Sequence, residues 1–150
     1  MRPVRERRRL EMLQALIITC VALAYPSISR AAQSDHPASE LLGTWHGTSV
    51  CTDRVAAPAC KDETVVYDFS AGAKPGTVHW KADKIVDGKR LAMGEFDLVY
   101  SPTDSCWSAE LTTPRFRMVW CVAVEGAVLR GSAALLPGRQ IVRKIDARKD

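Results

Sequence analysis

The chain has 150 residues, room for one domain, with 21 Lys and Arg against 17 Asp and Glu for a net charge of +4. Six Arg against two Glu within residues 1–32 account for the whole excess. The remainder is neutral and offers no electrostatic footprint for a phosphate backbone, which excludes nucleic acid as a partner.

The first segment reads as an export signal. A basic start, "MRPVRERRRLEMLQ", precedes a ten-residue apolar run, "ALIITCVALA" (15–24), broken only by Thr19, and then small residues. That order is the pattern of a cleaved secretory peptide. Ser29 and Ala31 suit the cleavage positions, as do Ala22 and Ala24. The apolar run falls short of the ~20 residues needed to cross a bilayer, so no stable membrane span is expected after cleavage. The division expected is an export signal over 1–32, a polar leader over 33–40 and one domain over 41–150. The expected location is periplasmic or extracellular.

Downstream of the signal stand Cys51, Cys60, Cys106 and Cys121. An even number in a short exported chain predicts two disulfides. Zinc is disfavoured, because no C-x-x-C pair and no His at ligand spacing accompanies them. No metal and no cofactor is expected.

From residue 41 onward the chain alternates polar and apolar residues in short runs: 44–52, 63–70, 77–86, 89–100, 105–111, 115–124, 127–136 and 139–147. Turn signals separate them. Lys74-Pro75-Gly76-Thr77 and Leu136-Pro137-Gly138-Arg139 suit type II turns. Asp87-Gly88 suits a type I′ hairpin, and Glu125-Gly126 can make another. The pattern predicts an all-β fold, an eight-stranded antiparallel up-and-down barrel stapled by two disulfides.

A loop over Thr112–Arg115 would set the fifth and sixth strands in one self-consistent register. Trp107 then faces Trp120, Ala109 faces Met118 and Leu111 faces Phe116. The other side pairs Glu110 with Arg117 and Cys106 with Cys121. Cys51 is left to bond Cys60. Along strands three and four, Val78, Trp80 and Ala82 share a face with Leu91 and Met93. Beyond Gly94 the apolar parity changes to Phe96, Leu98 and Tyr100, which predicts a β-bulge at Gly94. Gly131 is expected opposite Trp120, small against large.

"GTW" at 43–45 resembles the G-x-W signature of the calycin barrels, the lipocalins, fatty-acid-binding proteins and avidins. The resemblance implies that Trp45 closes one end of the barrel under a basic side chain from the last strand. In "RQIVRKIDAR" Arg143 is the best match for that role. A strict two-residue Pro137-Gly138 turn places it outside instead, so its direction depends on the loop. "GTWHGTSVC", "DETVVYDF", "ADKIVDGK" and the closing "RKI" together look like a family of small exported bacterial proteins, a resemblance that carries no activity. In size and export the chain is also similar to the small barrel inhibitors of bacterial proteases and lysozymes.

Catalytic residues do not stand out. His46 and His79 lack a partner at suitable spacing for metal or catalysis. Glu95 and Asp97 read as a solvated face, and no G-x-S-x-G elbow accompanies Asp104-Ser105. The chain therefore reads as non-catalytic. The interior aromatics Trp80, Phe96, Trp107 and Trp120, with Met118, form either a filled core or the walls of a pocket for a small apolar molecule. The alternative is a protein-binding barrel, such as an inhibitor of a secreted or host enzyme. It would use the Cys51–Cys60 loop and its residues Asp53, Arg54 and Val55, pre-ordered by the disulfide.

Overall fold

The computed structural model describes residues 38–150. The expected export signal and the first part of the polar leader lie outside the described residues. The end of that leader, with Leu41, forms one helical turn, α1 (Ala38–Leu41). Eight strands follow: β1 (Gly43–Cys51), β2 (Glu63–Ala71), β3 (Thr77–Val86), β4 (Lys89–Ser101), β5 (Cys106–Thr112), β6 (Arg117–Glu125), β7 (Val128–Leu136) and β8 (Gln140–Lys149). Each pairs antiparallel with the next, and β8 returns to β1, so the barrel is closed. Among the described residues no helix is long and apolar enough to cross a membrane.

Alternation produces this architecture because successive side chains on a strand point to opposite faces. Trp45, Val65, Tyr67, Phe69, Val78, Trp80, Leu98, Trp107, Val122, Leu129 and Ile145 form one buried cluster inside. Charged residues such as Lys81, Glu95, Asp97, Glu110 and Arg130 occupy the opposite parity on the same strands. A charged exterior around an apolar interior is the reverse of a transmembrane barrel. On that exterior Arg90 joins Asp83 and Asp68, and Asp68 also accepts a bond of 2.8 Å from the Thr44 hydroxyl. Burial of the Asp68 carboxyl opposes its charge, but Thr44 and Arg90 together hold it below the usual carboxylate range.

The two ends of the barrel differ. At the helix end lie α1 and Trp45; at the other, here the mouth, lie the Cys51–Cys60 loop and the 86–89, 112–117 and 136–140 connections. Both expected disulfides are present. Asp87 and Gly88 have φ of 50° and 74°, as a type I′ turn requires, and Gly76 has φ of 78°, as its type II turn requires. The connection after β7 is different: Gly138 is not left-handed, Arg139 has φ of 53°, and the Leu136–Pro137 bond is cis.

Two hairpins adopt registers displaced by two residues from those expected. Thr113 bonds Phe116 through its amide (2.9 Å) and its hydroxyl (3.0 Å), so the turn is 113–116 and not 112–115. Trp107 therefore faces Val122, Ala109 faces Trp120, and Leu111 faces Met118; Phe116 falls in the turn and is exposed. Cys121 sits opposite Ser108, so its disulfide to Cys106 runs diagonally, as does the Arg117–Glu110 ion pair. Likewise Glu125 pairs with Val128 across a Gly126-Ala127 turn, which places Gly131 opposite Val122 and not Trp120. A displacement of two leaves the paired side chains on their expected faces, and only Phe116 is lost from the apolar face. The bulge in β4 falls at Met93, beside Gly94: Ala82 pairs with Gly94 and Asp83 with Ala92. Leu91 and Met93 do not join the core; they are 46% and 39% exposed at the mouth.

Candidate functional site at the open end of the barrel

At the helix end Trp45 is 1% exposed, its indole N–H donates to the Leu41 carbonyl at 2.8 Å, and the Lys149 ammonium lies 5.3 Å from its ring. The basic partner expected for Trp45 is therefore Lys149, and Arg143 does not fill that role. β1 and β8 are antiparallel, so Trp45 pairs with Lys149 while Arg143 pairs with Cys51 at the far end. A shallow cleft of about 430 Å³ runs beside Trp45, Glu40, Val124 and Lys149, and a second of about 200 Å³ involves Leu41, Tyr100 and Trp107. Trp107, expected in the pocket, thus belongs to this end, edge-on to Tyr100 at 5.6 Å between ring centroids.

Arg143 does point inward. Near the turn β8 keeps a two-residue-hairpin register, with Leu135 opposite Gln140 and Ala134 opposite Ile141, but Val142 is an extra residue and Ala133 then pairs with Arg143. The bulge turns the guanidinium into the mouth. There it donates to the Ser49 carbonyl (3.1 Å) and hydroxyl (2.8 Å), the Glu63 carboxylate (3.3 Å) and the Lys61 carbonyl (2.7 Å). Its Nη2 also lies 3.3 Å from Cys60 Sγ. Lys84 reaches Glu63 from the other side at 3.4 Å. Tyr67 lies beneath; burial pushes its phenol up to about 12, against the lowering effects of the Ser49 hydroxyl and the Arg143 charge. This mutually satisfied polar cluster fills the β1–β2–β3–β8 side of the mouth.

The β4–β5–β6 side is built differently. β4 has thirteen residues, yet pairs with β5 only through Val99–Ser108, Tyr100–Trp107 and Ser101–Cys106, all at the helix end. Toward the mouth the two strands part. The inward residues that flank the parting (Gly94, Phe96, Ala109, Leu111, Met118 and Trp120) are all half-buried, whereas Tyr67, Trp80 and Val65 across the barrel are buried. The Phe96 ring folds back over Gly94, where a β-carbon would lie 3.2 Å from Cζ.

Of the expected pocket residues, Trp80, Phe96 and Trp120 come together. Ring centroids are 5.5 Å apart for Trp80–Phe96, 5.6 Å for Trp80–Trp120 and 6.5 Å for Phe96–Trp120. Met118 is one inward position from Trp120, between Leu111 and Leu135. Tyr67 and Phe69 close the other side of Trp80 at 5.0 and 5.6 Å, so aromatic rings fill the barrel at its waist. The indole N–H groups of Trp80 and Trp120 are buried and meet no protein acceptor. Leu111, read from the sequence as an inward residue but not as part of the pocket, borders the β4–β5 parting, whose one signal in the sequence is that β4 is far longer than β5.

The Cys51–Cys60 loop is braced. Asp53 accepts from the Val55 and Ala56 amides at 3.0 and 2.8 Å and from Gln140 at 2.7 Å, and Arg54 pairs with Asp62 at 2.9 Å. Val55 projects, 94% exposed. His46 and His79 lie on the outer face against Asp150 and Asp97, at 3.1 and 2.9 Å. Among the described residues no group of three or more His, Cys, Asp or Glu could hold a metal ion. Among known proteins, no family model matches the chain and no curated sequence matches it.

Proposed function

We propose that this is an exported, calycin-like, non-catalytic barrel that binds a small, largely apolar molecule at its mouth, in the parting between β4 and β5. The observation that carries the reading is the three-pair ladder between those strands, which leaves an inward apolar face, Phe96, Leu111, Met118 and Trp120, partly open to solvent. Apolar side chains left partly open inside a barrel mouth suit small-molecule binding. Two disulfides accord with an oxidising periplasmic or extracellular compartment. Native mass spectrometry of exported, never-unfolded protein tests the reading. The expected result is extra mass in the native spectrum, absent after denaturation and lost in Leu111→Lys, which sets a charge in the parting. An empty native spectrum, with no Trp fluorescence change across a panel of apolar compounds, would reject it.

A second reading rests on Val55: a projecting apolar residue on a braced loop suits insertion into a secreted or host enzyme. Replacing Arg54 and Val55 by Gly and Ser would abolish capture of such a partner and leave small-molecule binding intact.

A further inference from the structure

We infer that the molecule bound in the β4–β5 parting is neutral and flat, and carries a hydrogen-bond acceptor oxygen that enters first and receives the indole N–H of Trp120 or Trp80. This inference rests on the small-molecule reading above and specifies its ligand.

The two donors carry the argument. Trp80 is 1% exposed, Trp120 is half-buried with its nitrogen covered, and neither N–H meets an oxygen or nitrogen of the protein. Buried indole donors ordinarily find a partner, and one left without costs about 1–3 kcal/mol. Trp45 shows the ordinary outcome in the same barrel, with its N–H on the Leu41 carbonyl. The rings of Trp80 and Trp120 stand at 81°, 5.6 Å apart. An edge-on ring offers only a weak π acceptor, so a true oxygen acceptor gains free energy there. Trp120 also borders the parting, opposite Ala109, and is itself half-buried.

Charge defines the rest of the ligand. Inward positions on β4 from Gly94 to Tyr100, and on β5 and β6, are uncharged. The cations nearest in kind, Lys84 and Arg143, stand on the other side of the mouth and both engage Glu63. A carboxylate or phosphate placed against the covered indole nitrogen would give up hydration with no counter-charge beside it, which favours a neutral ligand. A neutral carbonyl oxygen matches a lone N–H donor. Phe96 and Trp120, 6.5 Å apart between ring centroids, flank the parted strands, which favours a flat apolar body.

The test uses two compounds of nearly equal shape, 2-acetylnaphthalene and 2-ethylnaphthalene, titrated into ¹⁵N-labelled, disulfide-intact protein. The four Trp give four indole N–H signals. Both compounds are expected to bind, with only the ketone moving the Trp120 or Trp80 signal downfield while Trp45 stays in place. Trp120→Phe keeps an aromatic ring and removes the donor. Where the Trp120 signal is the one that moves, this variant should weaken the ketone about fivefold more than the hydrocarbon, the equivalent of one ordinary hydrogen bond, and Trp80→Phe should do the same where the Trp80 signal moves. If both compounds bind without a downfield indole signal, the acceptor inference fails and the parting stands as a site. If neither binds, both fail. Movement confined to Trp45 and Trp107 would move the site to the helix end and overturn the inference.

Discussion

The two ends of this barrel solve the same problem in different ways. At the helix end Trp45 is capped by Leu41 and Lys149, and its single polar atom has a partner. Of the eight large hydrophobics exposed among the described residues, only Val99 lies away from the mouth; Val50, Val55, Val86, Leu91, Met93, Phe116 and Ile141 all gather there. The mouth itself is divided between a satisfied polar cluster around Arg143 and an apolar parting between β4 and β5. Exposed apolar residues gathered at one end, against a closed and satisfied opposite end, form the kind of patch that marks an interaction surface.

The comparison predicts unequal costs for removing the same side chain at the two ends. Trp45→Ala deletes a fully buried ring and leaves the Leu41 carbonyl unpaired, which should cost about 3–5 kcal/mol. Trp120→Ala removes a half-buried ring with no protein hydrogen bond and should cost less than half as much. Urea unfolding of both variants measures the difference. Equal costs would mean that the parting is closed in solution.

The polar side of the mouth should behave as interior, and pH reports on it. The folded state keeps the Tyr67 phenol neutral up to about 12, whereas the unfolded chain ionises near the ordinary value of 10. The folded state thus retains a proton that the unfolded chain has lost. The stabilisation is complete below pH 10 and falls as pH rises from 10 to 12, by up to about 1.4 kcal/mol per pH unit. Tyr67→Phe should remove that slope and disturb little else, because the Ser49 hydroxyl keeps its bond from Arg143. Urea midpoints at pH 9, 10 and 11 decide it. A slope that survives the substitution would assign it elsewhere.

Face assignments were legible in the sequence because alternation encodes them directly. Val78, Trp80 and Ala82 point inward as read, and the parity change beyond Gly94 marks a real bulge. Register was less legible. The Thr113 hydroxyl, bonding Phe116 from both directions, moves the turn by one position and the pairing by two, and alternation is blind to a displacement of two. The disulfide and the Glu110–Arg117 pair survived because diagonal neighbours are also in reach. The parting of β4 from β5 is a property of three-dimensional closure that neither strand's pattern records. The buried donors of Trp80 and Trp120 are invisible for the same reason: a sequence shows that an indole is interior, never whether its N–H has an acceptor.

The misplacement of Arg143 yields the smallest and most local test. Trp45 opens β1, and the antiparallel neighbour of an opening residue must lie near the close of β8. Direction alone therefore excluded Arg143 and pointed to "ARKD", a charged stretch that otherwise reads as a solvated end. Lys149 lies over the Trp45 ring and also donates to the Glu40 carbonyl at 3.3 Å, tying α1 to the last strand. Lys149→Met keeps much of the apolar stem over the ring and removes the charge. The loss should be about 0.5–1 kcal/mol, the scale of a partly exposed cation–π contact. Because an ammonium–ring attraction is electrostatic, the difference between the two proteins should shrink as salt rises. Urea midpoints at low and high NaCl measure it. A constant difference would mean that Lys149 seals the helix end by packing alone, and the cation would then be incidental to how Trp45 closes the barrel.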